Sequence, residues 1–124
     1  MAKILIIDDD EVHADMAKQR LERAGHRVKV HVGPFGATVA ATDMLLDLVI
    51  LDVFMPGLGG PDLLDLMRKR NKARVPVMFY SSMDTGLLAK LAEEHRANGF
   101  ISKSATREQF IEAVSRLLIE KGTR

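Results

Sequence analysis

The chain is 124 residues long, enough for one hydrophobic core, and it reads as a single domain over residues 1–124. Apolar residues make up 47% and charged residues 28%, the balance of an ordinary globular protein, and a formal net charge of +1 argues against a strongly electrostatic nucleic-acid binder. The chain has no cysteine, which excludes disulfides and thiolate metal sites, and no apolar run of signal-peptide or membrane-spanning length, so the expected location is the cytoplasm with no membrane partner.

Lys3 to Ile7 is a short apolar run rich in β-branched residues and predicts a buried strand. It meets Asp8, Asp9, Asp10 and Glu11, where Asp10 can cap a following helix and acids suit its first turn. That helix is predicted to run to about Ala24 and stop at Gly25, with His13, Met16, Ala17, Leu21 and Ala24 on its inner side. Val28, Val30 and Val32 alternate with Lys29 and His31, which predicts a half-exposed strand ended by Gly33-Pro34. Residues 35–46 are Ala-rich and predict a second helix, although Gly36 and two threonines work against it. His26, His31 and His95 read as surface residues.

Leu48-Val49-Ile50-Leu51 runs straight into Asp52, and Met55-Pro56-Gly57 then turns the chain. A run that apolar fits a strand covered on both faces. Pro61 suits the first turn of the next helix, whose apolar face is Leu63, Leu64, Leu66 and Met67. The basic run from Arg68 to Arg74 reads as a solvated helix end and loop rather than a nucleic-acid site. Val75 to Tyr80 predicts a fourth strand ending in Ser81-Ser82. Asp84 then caps a helix to about Ala97, with Leu87, Leu88, Leu91 and Ala92 inward. Gly99 to Ser102 is a short fifth strand followed by Lys103, and Thr106 opens a last helix with Glu108 and Gln109 near enough to assist the cap. Phe110, Ile111, Val114, Leu117 and Leu118 form the buried stripe of that helix.

Strand and helix alternate five times, which predicts an α/β protein with a parallel sheet covered by helices on both faces. Open sheets of this kind bind ligands at the carboxyl edge of the strands. Asp8, Asp9, Asp52, Ser81 and Lys103 all fall at that edge. Three carboxylates repel one another unless a cation sits among them, and an all-oxygen donor set favours Mg²⁺, with Mn²⁺ as a substitute. Lys103 and Ser81 suit phosphoryl oxygens, and Asp52 can act as a nucleophile that forms an acyl phosphate. Taken singly, the acids could be a helix cap, Asp52 a turn residue, Ser81 a loop hydroxyl and Lys103 a surface cation. Their joint placement points to phosphoryl transfer.

Ile4-Leu5-Ile6-Ile7-Asp8-Asp9-Asp10, Asp52 with Met55-Pro56-Gly57 and Gly60, Val75-Pro76-Val77 leading to Ser81, and Gly99-Phe100 before Lys103 follow one another in order. With these elements the chain resembles the receiver domain of two-component response regulators, of the single-domain chemotaxis type, from Lys3 to about Glu120. The resemblance implies a flavodoxin-like doubly wound (βα)5 fold with strand order 2-1-3-4-5 and no output domain in this chain. Asp52 would take a phosphoryl group from a histidine kinase or a histidine phosphotransfer protein. Asp9, Asp52 and the backbone carbonyl of Phe54 would bind Mg²⁺ directly, with Asp8 acting through water. Ser81 and Phe100 would be the coupled switch, and the surface of helix four, strand five and helix five would meet a downstream protein target. The molecule would be a monomer or weak dimer and would catalyse only its own phosphorylation and dephosphorylation.

The chain departs from the family at Ser104, where proline is usual, and at Arg96, where glycine is frequent; its switch aromatic is Phe100, which has no hydroxyl. A cis peptide before a non-proline residue costs about 3 kcal/mol, which favours a trans bond at Lys103–Ser104. Phe54, Ser82 and Met83 flank the site, and the apolar Phe54 and Met83 cannot orient an attacking water, which predicts slow autodephosphorylation. The alternative reading is a pseudo-receiver, a binding module that takes no phosphate, with Ser104 as its support. A phosphatase of the haloacid dehalogenase type needs a second acid two residues after its nucleophile, where this chain has Phe54.

Overall fold

The computed structural model describes residues 1–43, 45–71 and 75–122. Strands β1 (Lys3–Asp8), β2 (Arg27–Val32), β3 (Leu48–Asp52), β4 (Val77–Ser81) and β5 (Gly99–Ser102) alternate with helices α1 (Glu11–Arg23), α2 (Ala37–Ala40), α3 (Gly60–Asn71), α4 (Thr85–Glu94) and α5 (Arg107–Gly122). All strand pairs are parallel, and the order is β2-β1-β3-β4-β5, as expected. Positions 72–74 of the basic run lie outside the described residues.

The apolar strands are explained by two cores, one on each face of the sheet. Leu5, Ile7, Val49, Leu51, Val77 and Phe79 point to one side, against Ala37, Leu63, Leu64, Met67, Leu88 and Ala92 of α2, α3 and α4. Ile4, Ile6, Leu48, Ile50, Met78 and Tyr80 point to the other, against Ala14, Ala17 and Leu21 of α1 and Phe110, Val114 and Leu117 of α5. Strand alternation puts neighbours on opposite faces, so every residue of β1, β3 and β4 except Lys3 is buried. Fully burying a side chain such as Ile50 or Phe79 contributes about 1.5–3 kcal/mol.

Several local expectations are corrected. The helix expected over 35–46 shrinks to the single turn Ala37–Ala40. Gly36 enters it at φ 79, Thr42 Oγ1 donates to the Val39 carbonyl, and Asp43 Oδ1 accepts from Leu45 N–H at 2.9 Å. These local side-chain bonds replace the helical ladder. On α1 the inward stripe is Ala14, Ala17 and Leu21, while His13, Met16 and Ala24 are exposed. Leu66 and Leu87 are likewise exposed, because α3 and α4 each press only a narrow stripe on the sheet. Arg68, at the end of α3, is not simply solvated: Nη1 donates to the Val75 carbonyl at 2.7 Å and Nη2 to Asn98 Oδ1 at 2.8 Å.

The end of α4 falls at Glu94 rather than Ala97. Arg96 N–H bonds the Glu93 carbonyl and Ala97 N–H the Ala92 carbonyl, which places Arg96 at φ 58, in the left-handed region that glycine adopts without strain. Caps at Asp10 and Asp84 form as expected. Thr106 and Gln109 exchange two bonds, Thr106 N–H to Gln109 Oε1 at 2.9 Å and Gln109 N–H to Thr106 Oγ1 at 3.1 Å.

Candidate functional site

β1 delivers Asp8 with 0% exposure, and Asp9 follows it, exposed. Asp52 ends β3 and Ser81 ends β4, 3% and 1% exposed respectively. Because β3 lies between β1 and β4, these ends converge. Carboxylate oxygens of Asp8, Asp9 and Asp52 lie within 4.8 Å of one another. Lys103, one residue past β5, places Nζ 3.1 Å from Asp8 Oδ2 and 3.2 Å from Asp52 Oδ1. No peptide bond among the described residues is cis, so Lys103–Ser104 is trans and Lys103 reaches both acids from that backbone.

The turn after β3 depends on close backbone approach. Gly60 N–H donates to the Val53 carbonyl at 2.9 Å, and a Cβ on Gly60 would stand 2.2 Å from the Asp52 carbonyl oxygen. Gly57 sits at φ 90. Glycine is required at 60 by space and favoured at 57 by conformation.

An open cleft of about 520 Å³ lies over these groups, lined by Asp9, Asp10, Glu11, His13, Asp52, Phe54, Ser82 and Lys103. Phe54 is 60% exposed there. Met83 is half-buried against the α2–α4 core, and its N–H donates to Ser81 Oγ at 3.1 Å. Phe100 lies on β5 in register with Phe79, partly exposed. His13, expected on the inner side of α1, stands instead at the mouth of the cleft with Nδ1 2.9 Å from Asp10 Oδ2.

The electrostatics are those of a site short of positive charge. Burial, then the hydrogen bond to Asp8 and its charge, push Asp52 up to about 7, against the pull of Lys103. Burial disfavours the Lys103 ammonium, but Asp52 and Asp8 outweigh it and hold its pKa above the ordinary lysine value. Asp8 Oδ1 accepts from Asp10 N–H at 2.9 Å, while the buried Asp8 Oδ2 has no hydrogen-bond donor in good geometry, only the nearby ammonium. An orphaned buried carboxylate oxygen within an all-oxygen trio fits a hard divalent cation such as Mg²⁺. Three carboxyl groups share one ammonium, so the site is short of positive charge.

Three supports of Lys103 were not found by sequence reasoning. Tyr80 carries its ring centroid 5.4 Å from Nζ, and Ser81 holds the Lys103 N–H through its carbonyl at 2.8 Å. Ser102 accepts from Ser104 N–H at 3.1 Å. Only the position of Tyr80 beside Ser81 hinted at the first.

The response regulator receiver domain family matches this chain over residues 4–115. The chain is 30% identical over 122 residues to the uncharacterized transcriptional regulatory protein YkoG of Bacillus subtilis (strain 168), covering 98% of this chain and 53% of that protein. It is 32% identical over 121 residues to the DNA-binding transcriptional regulator NtrC of Rhizobium meliloti (strain 1021), covering 96% of this chain and 24% of NtrC. Among solved structures, the receiver domain of the Francisella response regulator 1452 superimposes with a TM-score of 0.86 at 25% identity, covering 97% of this chain and 98% of that one. The chain thus spans about half or less of the curated regulators it resembles.

Proposed function

The chain belongs to the response regulator receiver domain family, and on that premise we propose that it is a phosphorylation switch in which Asp52 is the phosphoacceptor. The observation that carries this reading is the convergence of Asp8, Asp9, Asp52 and Lys103 at one edge of the sheet. A histidine kinase or histidine phosphotransfer protein presents a phosphorylated imidazole in the cleft. An Asp52 carboxylate oxygen attacks phosphorus in line; the new P–O bond forms as the P–N bond breaks, and the imidazole leaves with the bonding pair and takes up a proton. Lys103 neutralises charge on the phosphoryl oxygens, and the Ser81 hydroxyl is free to exchange its Met83 N–H contact for one of them.

Asp9, Asp52 and the Phe54 carbonyl would hold Mg²⁺ directly and Asp8 through water; the ion supplies charge stabilisation at the transferring group. Movement of Ser81 to the phosphoryl group would let Phe100 turn inward and alter the α4–β5–α5 surface seen by a downstream protein. The exposed Phe54 and half-buried Met83 offer no group to orient water, so the acyl phosphate should be long-lived. The test is labelling with acetyl phosphate, or binding of a beryllofluoride analogue, in the presence of Mg²⁺. Labelling that Asp52→Asn abolishes supports the reading; no labelling and no binding favours a phosphorylation-independent binding module.

A further inference from the structure

Lysine carries its charge on a flexible four-carbon stem, and holding that charge between two carboxylates requires something to fix the stem's root. The backbone around Lys103 is fastened on both sides. Before it, its own N–H bonds the Ser81 carbonyl at 2.8 Å and carries the β4–β5 ladder one residue beyond the strand. After it, Ser104 N–H donates to Ser102 Oγ at 3.1 Å, the Ser102 and Ser104 hydroxyls lie 2.8 Å apart, and Ala105 N–H bonds the Ser102 carbonyl at 3.1 Å. The Ser102 side chain thus arches over Lys103 and ties down the residue that follows it. A proline at position 104 would have no N–H to offer this bond.

We propose that Ser102 is a positioning residue: its hydroxyl closes the turn that aims the Lys103 ammonium at Asp8 and Asp52. This rests on the reading that Lys103 assists phosphoryl acceptance at Asp52. Ser102 does not line the cleft, so it acts only through the lysine. Loosening the turn lets the ammonium leave the position it holds between the two acids, and misplacing a charged group by about an ångström is enough to slow transfer by one or two orders of magnitude.

The full chain with Mg²⁺ and acetyl phosphate provides the first measurement. Ser102→Ala should lower the initial rate of phosphorylation about tenfold while leaving the apparent Mg²⁺ affinity within about twofold. Ser102→Thr should restore the rate, whereas the shape-matched Ser102→Val should not; this pair decides the matter if the alanine variant fails to fold. Ser104→Ala keeps its N–H and should stay within about twofold of the parent chain. The second measurement is a crystal structure of metal-free Ser102→Ala, in which Lys103 Nζ should leave the positions it holds 3.1 Å from Asp8 Oδ2 and 3.2 Å from Asp52 Oδ1. Parent-like rates and an unmoved Lys103 ammonium in Ser102→Ala, or a loss in Ser104→Ala as large as in Ser102→Ala, would overturn the proposal. If the parent chain takes no phosphate at all, the phosphoacceptor reading falls, and the position of the Lys103 ammonium in Ser102→Ala still decides the role of Ser102.

Discussion

At the amino-terminal edge of the sheet, Asn98 Oδ1 accepts from Val77 N–H and from Arg68 Nη2, both at 2.8 Å. Nearby, Asp47 Oδ2 accepts from Lys3 N–H at 2.8 Å, Asp43 pairs with Lys3 Nζ at 2.6 Å, and His26 Nδ1 accepts from Ala2 N–H at 3.1 Å. Each of these groups meets an opposite charge or a hydrogen-bond partner. At the carboxyl edge, two buried acids and an exposed one crowd around a single ammonium, and one buried carboxylate oxygen lacks a proper donor. The same sheet therefore has one edge whose polar groups are paired and another that holds crowded carboxylates, which a cation could balance.

Asp52→Asn should produce the largest separation between the two edges: phosphorylation falls below detection by mass spectrometry while the fold persists. Next in size, Asn98→Ala should remove about 2 kcal/mol of stability by leaving Val77 N–H without its acceptor. It should leave the phosphorylation rate unchanged, as urea titration and acetyl phosphate kinetics would show. A drop in phosphorylation on Asn98→Ala would mean that the two edges are coupled.

The crowded edge should also be visible in stability alone. Burial and the neighbouring Asp8 push Asp52 in the folded protein up to about 7, well above the ordinary carboxylate range. The native state then binds this proton more tightly than the unfolded chain. The resulting stability is fully present below the unfolded value and is lost as pH rises through about 7. Metal-free protein should therefore weaken between pH 4 and 8 by this group's share. Asp52→Asn should be the more stable protein at pH 8, by roughly 1–2 kcal/mol, and Mg²⁺ should narrow that gap. Urea unfolding at pH 4 and pH 8 checks this, and an Asp52→Asn variant no more stable than its parent at pH 8 is incompatible with charge crowding.

Replacing Phe54 with Asn together with Met83 with Glu should shorten the acyl phosphate lifetime about tenfold by supplying groups that orient water. A parent lifetime of only seconds would contradict the protection assigned to these two residues. The smallest effect belongs to the other edge: Arg96→Gly should stabilise the fold by about 0.5–1 kcal/mol by relieving a left-handed backbone, with no change in phosphorylation.

The strands were legible because each is a short apolar run cut by a charged or turn residue, and those cutting residues, Asp8, Asp52, Ser81 and Lys103, all lie at the carboxyl edge of the sheet. Legibility failed where a choice depended on partners distant in sequence. Residues 35–46 have helical composition, but Asp43 spends its side chain on Leu45 N–H and Lys3, and the helix ends after one turn. The inner stripe of α1 keeps the expected Ala17 and Leu21 and takes Ala14, while His13, Met16 and Ala24 face outward.

From the sequence alone follow the parallel α/β order, the two-faced burial of the central strands and the acids at their ends, since alternation and strand length are local properties of the chain. The tertiary structure decided which charges meet. It brought Lys103 between Asp8 and Asp52 across the sheet, left Asp8 Oδ2 with only that ammonium beside it, and set Tyr80, Ser81 and Ser102 around the lysine. Distances of three ångströms between residues fifty or more apart in the chain arise only when strands pair and helices pack, and the chemistry of the site depends on those distances.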